Sequence, residues 1–283
     1  MQSAANKGYL REDFRLFHLR DQKELPVQAH YHEFDKLLLL FQGSVEYTVE
    51  GVVYELRPGD LLLIRRHDIH RPVISGKTAY ERAIFWISPE CLREGELDLE
   101  ACFHQASDRH RALYRPTEEA WKRLRFLVKE LENTGDDEYS ALLRRTHFLH
   151  LMCEINRTVR SDQAAGPEVL DRPVDVVLRH INAHLAEELN VESLAAMCYL
   201  SRYHFMRRFK DATGYTVHNY IQLKRLTLAA QLLAEGKSAG ETALACGFGD
   251  YSTFLRSFRR HYGVTPGSFA RGDAPSLVSH YRE

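Results

Sequence analysis

Apolar and polar positions alternate over short stretches in the first 90 residues, and this alternation indicates β-strands. Leu37 to Phe41 is a continuous apolar run of strand length, and Val45 to Val49 alternates before Val52 to Leu56 returns as its hairpin partner. A later strand over residues 80–87 presents four side chains on one face: Tyr80, Arg82, Ile84 and Trp86. Many short strands separated by turns predict a small barrel or sandwich.

From Thr117 onward, apolar residues recur every three or four positions, which indicates helices. Thr117 is placed to cap a helix over 117–132. A second helix is predicted from about residue 137 to 159, with Leu142 and Leu143 among its inward side chains. The apolar stripes of this pair predict packing, either as a lid over the barrel or against a second subunit.

After a polar stretch with Gly and Pro, the chain becomes a run of helices that contains a degenerate repeat about 49 residues apart. Each repeat has a short helix of small residues, a tight turn, an N-cap (Ser201 or Asp250) and an amphipathic basic helix. A helix over 217–233, ending near Gly236, lies between them. The predicted organisation is an arm (1–13), a barrel (14–115), a helical pair (116–160), a linker (161–173), a helical domain (174–271) and a tail (272–283).

Composition and charge narrow the function classes. The chain of 283 residues has a net charge of −1, but residues 174–271 carry 12 Lys and Arg against 8 Asp and Glu, which favours a polyanionic partner for the helical domain. The five cysteines are scattered without a CxxC pair, which argues against a disulfide framework or zinc knuckle and for a reducing compartment. No apolar run has the roughly 20 residues of a membrane span, and no signal core begins the chain. We therefore expect a cytoplasmic protein with no membrane contact.

The repeated unit has the construction that helix-turn-helix recognition of DNA requires. Four phenylalanines (Phe205, Phe209, Phe254 and Phe258) anchor the inner faces of the two second helices. The outward residues predicted to bind DNA are Arg202, Tyr203, Met206, Arg207, Lys210, Tyr251, Ser252, Arg256, Arg259 and Arg260, with Leu255 also outward. Arginine can read guanine, whereas Lys210, Arg259 and Arg260 lie where phosphates would be bound. The alternative is a helical bundle whose basic residues are merely solvated.

Residues 194–270 resemble the DNA-binding domain of the AraC (AraC/XylS) family of bacterial transcription regulators. The most distinctive elements are Gly247-Phe248, Ser252-x-Phe254, Phe258 and Gly263-Val264-Thr265-Pro266. The resemblance implies two helix-turn-helix subdomains that place both recognition helices in successive major grooves of promoter DNA. It also implies base-facing positions for Tyr203, Met206, Arg207, Ser252 and Arg256. A homodimer formed by the helical pair and contacts with RNA polymerase are further partners it suggests.

The segment His30-x-His32 … Gly43 … Pro58-Gly59-Asp60 … His70 is similar to the cupin barrel that many AraC-family regulators carry as an effector domain. Metal-binding cupins continue the pattern as HxH-x3-E, but here Lys36 replaces the glutamate. The three histidines are therefore a low-ranked candidate for a divalent metal site. They could instead hydrogen-bond a ligand, or serve only structure.

A barrel mouth with a few convergent polar groups is a common small-molecule site. The predicted effector-binding residues are His30, His32, His70, Arg82 and Trp86: Trp86 to stack on an apolar sugar face, and Arg82 and His32 to bond hydroxyls. The alternative is a core tryptophan with a surface arginine. By the resemblance, a neutral sugar or glycoside is the leading effector class.

The sequence thus predicts an α+β multidomain protein with an N-terminal cupin-like β-barrel, a helical dimerisation or lid segment, and a C-terminal all-α domain with two helix-turn-helix motifs. The predicted function is a sequence-specific transcription regulator under effector control, with no cofactor and no catalytic residues. Two alternatives remain open. One is a metal-dependent cupin enzyme fused to a DNA-binding module, and the other is a regulator whose N-terminal domain only dimerises.

Overall fold

The computed structural model describes residues 13–21, 29–74, 79–94, 97–109, 111–161 and 172–271. They belong to two compact units, one within residues 10–170 and the other within residues 171–283. The predicted N-terminal arm except Asp13, the predicted tail and most of the predicted linker lie outside the described residues. The first unit is rich in strands and the second is helical, which agrees with the predicted fold class.

Two antiparallel sheets form the β-structure of the first unit. One has the strand order β1-β7-β2-β5-β10 and the other the order β4-β3-β6, while β8 and β9 form a separate short pair. The strands are β1 (Phe14–Asp21), β2 (Asp35–Gln42), β3 (Val45–Val49), β4 (Val52–Leu56), β5 (Leu61–Ile64), β6 (His70–Val73), β7 (Tyr80–Ile87), β8 (Arg93–Glu94), β9 (Leu97–Asp98) and β10 (Leu113–Tyr114).

The predicted hairpin between β3 and β4 is confirmed, with Val45 opposite Leu56 and Val49 opposite Val52. Its two turn residues, Glu50 and Gly51, have φ values of 49° and 81°. A two-residue hairpin turn with both φ angles positive matches the twist of its strands. Glu50 also ties the hairpin to the chain before β6, because its carboxylate accepts the Ile69 N–H at 2.6 Å.

Strand β2 is buried on both faces, and the two faces belong to different cores. Leu37 and Leu39 pack in a cluster with the helices of this unit. Leu38 and Leu40 pack instead with the inner residues of the three-stranded sheet. Since side chains alternate along a strand, Lys36 shares the face of Leu38 and Leu40 and points between the two sheets.

Three helices cover the outer face of the larger sheet: α1 (Ala101–Asp108), α2 (Glu118–Asn133) and α3 (Ser140–Arg160). The predicted cap of α2 is confirmed, because the Thr117 side chain accepts the Ala120 N–H at 3.2 Å. Helix α3 begins later than predicted because Asp137 and Ser140 form a turn through their side chains.

The prediction that Leu142 and Leu143 face inward is wrong, since they are 67% and 47% exposed. The buried stripe of α3 includes Phe148, Leu151 and Ile155. At 3.6 residues per turn, positions five and six residues before Phe148 lie on the opposite side of the helix.

The second unit consists of seven described helices: α4 (Arg172–Ala183), α5 (Val191–Met197), α6 (Arg202–Thr213), α7 (Val217–Ala234), α8 (Ala239–Ala245), α9 (Tyr251–Tyr262) and α10 (Pro266–Ala270). The predicted N-caps of α6 and α9, Ser201 and Asp250, accept backbone N–H groups. Both helices end at a glycine in the left-handed region, Gly214 and Gly263. These local signals were all readable from the sequence.

The two repeats differ in the length of their turns. Helices α5 and α8 begin 48 residues apart, whereas α6 and α9 begin 49 apart. The positive-φ residues of the two turns, Tyr199 (55°) and Gly247 (74°), are also 48 apart. The single spacing predicted from the sequence therefore holds only from the N-caps onward, because the second turn contains one additional residue.

Candidate effector site and nucleic-acid interface

The second helices of the two repeats present a basic surface. Their inner phenylalanines are fully buried: Phe205, Phe209, Phe254 and Phe258. Every residue that the sequence predicted to bind DNA is exposed: Arg202, Tyr203, Met206, Arg207, Lys210, Tyr251, Ser252, Arg256, Arg259 and Arg260. The two helices thus have the apolar anchor and the accessible face that a recognition helix needs.

Some of the exposed arginines have intramolecular partners on this surface. Arg202 pairs with Glu192 of α5 at 2.6 Å, and Arg207 lies 3.9 Å from Asp211. Exposed pairs of this kind contribute about 0–1 kcal/mol, so a phosphate or a base can displace the carboxylate at little cost. Arg256 donates to the Thr253 hydroxyl at 3.3 Å.

Leu255 is the exception among the residues that the sequence placed outward. It is half-buried and packs against the apolar cluster formed by α7, α8 and α9. Leu255 follows Phe254 directly, so it lies at the edge of the buried stripe rather than opposite it. The exposed face of α9 that is available to DNA is therefore narrower than predicted, and Ser252 and Arg256 lie on it.

The turn between α8 and α9 is held against the loop that follows α4. A Cβ on Gly247 would collide with the Leu185 carbonyl oxygen and would lie 2.8 Å from the Ala186 Cα. Arg225 of α7 fixes the same loop, because its Nε donates to the Leu185 carbonyl at 2.9 Å and its Nη2 to the Glu187 carbonyl at 2.6 Å. Only a glycine allows this close approach, and the approach sets the position of α9.

In the first unit, the structure brings His70 together with His30 and His32, which lie about 40 residues earlier in the sequence. One ring nitrogen of each lies within 4.8 Å of those of the others. An isolated bridge holds the chain around His30 to the start of β6, with two backbone hydrogen bonds between His30 and His70 of 2.8 and 2.9 Å. His30 and His32 are half-buried and His70 is buried, so part of the cluster is accessible to solvent.

The hydrogen bonds of His70 define its tautomer. Its Nδ1 lies 2.9 Å from the Asp68 carbonyl oxygen, which can only accept, so Nδ1 carries the proton. Nε2 is then an acceptor, and it is buried without a hydrogen-bond partner among the described residues. His32 Nδ1 is likewise buried without a hydrogen-bond partner among the described residues.

Both rings are held in the neutral form. Burial, together with the charges of Lys36 and His30, lowers the pKa of His32 well below its usual value. Burial and the neighbouring His30, Lys36 and His32 lower the pKa of His70 in the same way.

Lys36 lies beside the histidine cluster on the inner face of β2. It is 6% exposed, and its ammonium donates to the Tyr47 hydroxyl at 3.3 Å. Burial, reinforced by the charge of Arg82, lowers the pKa of Lys36 to about 7. Burial likewise raises the pKa of the Tyr47 hydroxyl. Sequence reasoning treated Lys36 only as a missing carboxylate and missed Tyr47, although the alternation of β3 puts Tyr47 inward.

Arg82 and Trp86 lie on the same inner face of β7, as predicted. Arg82 is 6% exposed, with its guanidinium 4.1 Å above the Tyr80 ring and one donor on the Tyr80 carbonyl at 3.2 Å. Trp86 stacks on Phe34 at 4.7 Å between ring centroids and meets Phe17 edge-on at 4.7 Å. The surface-arginine alternative is wrong, and the indole already has aromatic neighbours.

The three histidines have the donor chemistry of a divalent metal site. Neutral imidazoles are good zinc ligands, and a histidine that ligates a metal typically donates its other nitrogen to a carbonyl, as His70 does to Asp68. The charge of Lys36, felt by both His32 and His70, opposes a cation there. The cluster therefore fits a metal in its ligands but not in its electrostatic surroundings.

A separate groove of about 490 Å³ lies between the β-sheet and α2. It contains His18, whose ring nitrogens lie 3.1 Å from Glu81 and 2.5 Å from Glu132. Phe126 lines the groove and is 59% exposed. None of the predicted effector residues lines it.

No helix of the described chain is long and apolar enough to cross a membrane.

The two units together define a class of protein: a transcription regulator that joins a ligand-binding domain to a helix-turn-helix DNA-binding domain. Residues 14–152 match the AraC-like ligand-binding domain, and residues 194–272 match a helix-turn-helix domain. The chain belongs to the AraC family of transcription regulators, as the resemblance predicted.

Relatives of similar length are transcription regulators. The chain is 29% identical over 245 residues to the probable transcriptional regulator LumQ of Photobacterium leiognathi, covering 84% of this chain and 89% of that one. It is 27% identical over 258 residues to the HTH-type transcriptional activator RhaS of Citrobacter koseri, covering 89% and 91%. The crystal structure of the DNA-binding domain of AdpA with a target DNA matches 35% of this chain and 91% of that one, with 34% identity and a TM-score of 0.35.

Proposed function

We propose that this protein reads promoter DNA with α6 and α9 and that a small molecule bound at the histidine cluster controls this binding. The observation that carries the proposal is the repeated helix-turn-helix unit, in which all ten predicted DNA-binding residues are exposed. Within this interface, Arg256 and Arg207 read bases, and Lys210, Arg259 and Arg260 bind phosphates.

The proposed effector site consists of His30, His32, His70, Arg82 and Trp86. Small-molecule sites combine apolar walls with a few convergent polar groups, and the aromatic and histidine side chains of this cluster have that composition. The effector class that the family resemblance suggests is a sugar or glycoside. Hydroxyl groups would donate to His70 Nε2 and form a hydrogen bond with His32 Nδ1; both nitrogens are buried and have no partner in the described chain.

A homodimer formed by the helical pair is part of the same proposal. Four large apolar side chains on or beside α2 and α3 are exposed: Phe126, Tyr139, Leu142 and Leu143. Large apolar side chains exposed on a helical pair are candidates for contact with a second subunit. A dimer would bring two pairs of recognition helices to one DNA molecule and raise specificity through effective concentration.

The DNA part is tested by selecting binding sites from random double-stranded DNA with the full chain. Two conserved blocks separated by about one helical turn of 10–10.5 base pairs are expected, one for each recognition helix. Arg256→Ala should then weaken binding to the selected site about 5- to 150-fold, the equivalent of roughly 1–3 kcal/mol, and relax the preference at one base pair. No enrichment in the selection, or unchanged base preference in the variant, would contradict the assignment.

The matched control is Arg259→Ala, which removes a phosphate contact. It should weaken binding to all sequences alike and reduce the slope of log affinity against log salt by about 1. A change in base preference with Arg259→Ala would contradict the division between base and phosphate contacts.

The effector part is tested by thermal melts of the full chain with neutral sugars, glycosides and divalent metals, with and without a chelator. A saturable rise that survives chelation supports an organic effector. A rise in melting temperature with metal alone would favour the second candidate, a metal-dependent cupin enzyme. The observation that favours this candidate is the closeness of the ring nitrogens of His30, His32 and His70. In that case, turnover with the metal-loaded protein is the measurement to make.

A further inference from the structure

Two cationic side chains are buried on the inner face of the larger sheet, and one of them, Lys36, lies beside the histidine cluster. Lys36 on β2 and Arg82 on β7 are each 6% exposed, and both strands belong to the same sheet. They are close enough for the charge of Arg82 to disfavour the protonated form of Lys36. Burying like charges together is costly unless an opposite charge compensates.

The surroundings of Lys36 contain no such compensation among the described residues. Its contacts are the Tyr47 hydroxyl at 3.3 Å and the Tyr47 ring at 5.6 Å from the ammonium nitrogen. An ammonium has three donors, and one hydroxyl acceptor uses only one of them. The Tyr47 hydroxyl itself stays protonated, because burial raises its pKa.

The histidines add acceptors, not negative charge. His70 Nε2 and His32 Nδ1 are buried acceptor or donor atoms without partners in the described chain, and both rings are neutral. A group that fits this interior therefore brings a negative charge for Lys36 and hydroxyls for the imidazoles. His30, His32 and Trp86 are half-exposed, so the cluster can be reached from solvent.

We propose that the effector is a small hydroxylated anion, such as a sugar acid, whose carboxylate or phosphate group lies beside Lys36 and Arg82. The proposal rests on the proposed function, since it takes the histidine cluster to be the effector site. The proposed effector class changes from a neutral sugar to an acidic one. A neutral sugar would leave the burial cost of Lys36 in place, whereas an anion forms charge-assisted hydrogen bonds with it.

The test uses iodide as an anionic probe and caesium as its cationic counterpart, with Trp86 as the reporter. Trp86 lies opposite Lys36 in the pairing of β2 with β7. The chain has two tryptophans, and Trp121→Phe leaves Trp86 as the sole indole fluorophore. At pH 6, iodide should quench Trp86 with saturation and caesium should not. Lys36→Met should raise the half-saturating iodide concentration about tenfold or more, since a hydrogen bond to a charged group contributes roughly 1.5–3 kcal/mol to the binding free energy.

Two further variants complete the design. Arg82→Gln should also weaken iodide binding, which keeps the test valid if one variant fails to fold. Lys129→Met, on the exposed face of α2, should leave it unchanged. Acetate and inorganic phosphate are then added as competitors, and the more effective one identifies the anionic group of the effector.

The proposal is overturned if iodide quenches no better than caesium, if Lys36→Met and Arg82→Gln have no effect, or if neither competitor displaces iodide. A neutral sugar that raises the melting temperature of both the wild type and Lys36→Met would also overturn it. That outcome would leave the proposed effector control intact, so the two proposals fail separately.

Discussion

Replacing Lys36 with methionine is expected to stabilise the N-terminal unit in the absence of effector. Lysine and methionine have unbranched side chains of similar length, so the substitution removes the charge and keeps most of the packing. In the folded chain the Lys36 ammonium is buried with Tyr47 as its hydrogen-bond partner and Arg82 as a charged neighbour. In the unfolded chain, the same ammonium is hydrated. The difference between these two environments is the cost that the variant removes.

The pKa of Lys36 gives the size and the pH dependence of this cost. Burial lowers the pKa of Lys36 from 10.5 to about 7, and each unit corresponds to about 1.36 kcal/mol. Between pH 7 and 10.5 the unfolded chain holds the proton and the folded chain releases it, so stability rises with pH in this window. The cost is on the order of 4 kcal/mol at pH 7 and about 1 kcal/mol at pH 10. The lost hydrogen bond to Tyr47 offsets about 1 kcal/mol of the gain.

Urea unfolding followed by tryptophan fluorescence measures this effect in the right unit, because Trp86 and Trp121 both belong to the N-terminal unit. Lys36→Met should be more stable than the wild type by about 3 kcal/mol at pH 7 and nearly equal at pH 10. His32 and His70 titrate below this window and Tyr47 above it. Lys129→Met serves as the exposed control. A difference that does not change between pH 7 and 10 would refute the reasoning.

Two substitutions in the helical unit test how α9 is held. Gly247→Ala should lower the free energy of unfolding, measured by circular dichroism, by about 2 kcal/mol or more, because the added Cβ meets backbone atoms of the loop after α4. The control is Gly236→Ala: Gly236 has a φ of 90° but open space around it, so this substitution should cost only about 1 kcal/mol. Phe254→Ala should cost about 3–5 kcal/mol because Phe254 is fully buried, whereas Tyr251→Ala, 46% exposed, should leave the melt nearly unchanged. Equal effects within either pair would contradict these assignments.

The local signals of the helical unit could be read from the sequence because each is short-range. Ser201 and Asp250 cap helices, and Gly214 and Gly263 end them, through contacts within a few residues. The repeated phenylalanines do not predict the additional residue in the second turn, because they lie after the N-caps. Gly247 showed no reason for its presence until the loop after α4, some 60 residues earlier, was seen to pack against it.

The candidate effector site was harder to predict because its residues come from separate strands. The HxH pattern identified His30 and His32, and the alternation of β7 placed Arg82 and Trp86 on one face of the strand. What the sequence could not show is that Tyr47 of β3 meets Lys36 of β2, since this contact depends on how two sheets pack face to face. The prediction that Leu142 and Leu143 face inward was wrong for a local reason: two adjacent apolar residues do not show which face of a helix is buried.

Effector control requires that the ligand bind one arrangement of the chain better than another. The burial cost of Lys36 offers a physical source for this preference, because an anion beside the ammonium offsets it. The cost of about 4 kcal/mol at pH 7 exceeds the 1–3 kcal/mol that typically couples two sites, so only part of it needs to reach the DNA-binding domain. Lys36→Met should therefore retain its affinity for the selected DNA site and lose the response of that affinity to the effector. Binding assays with both proteins, with and without the ligand found in the melts, measure this directly. A full response in Lys36→Met would place the coupling in other residues of the cluster.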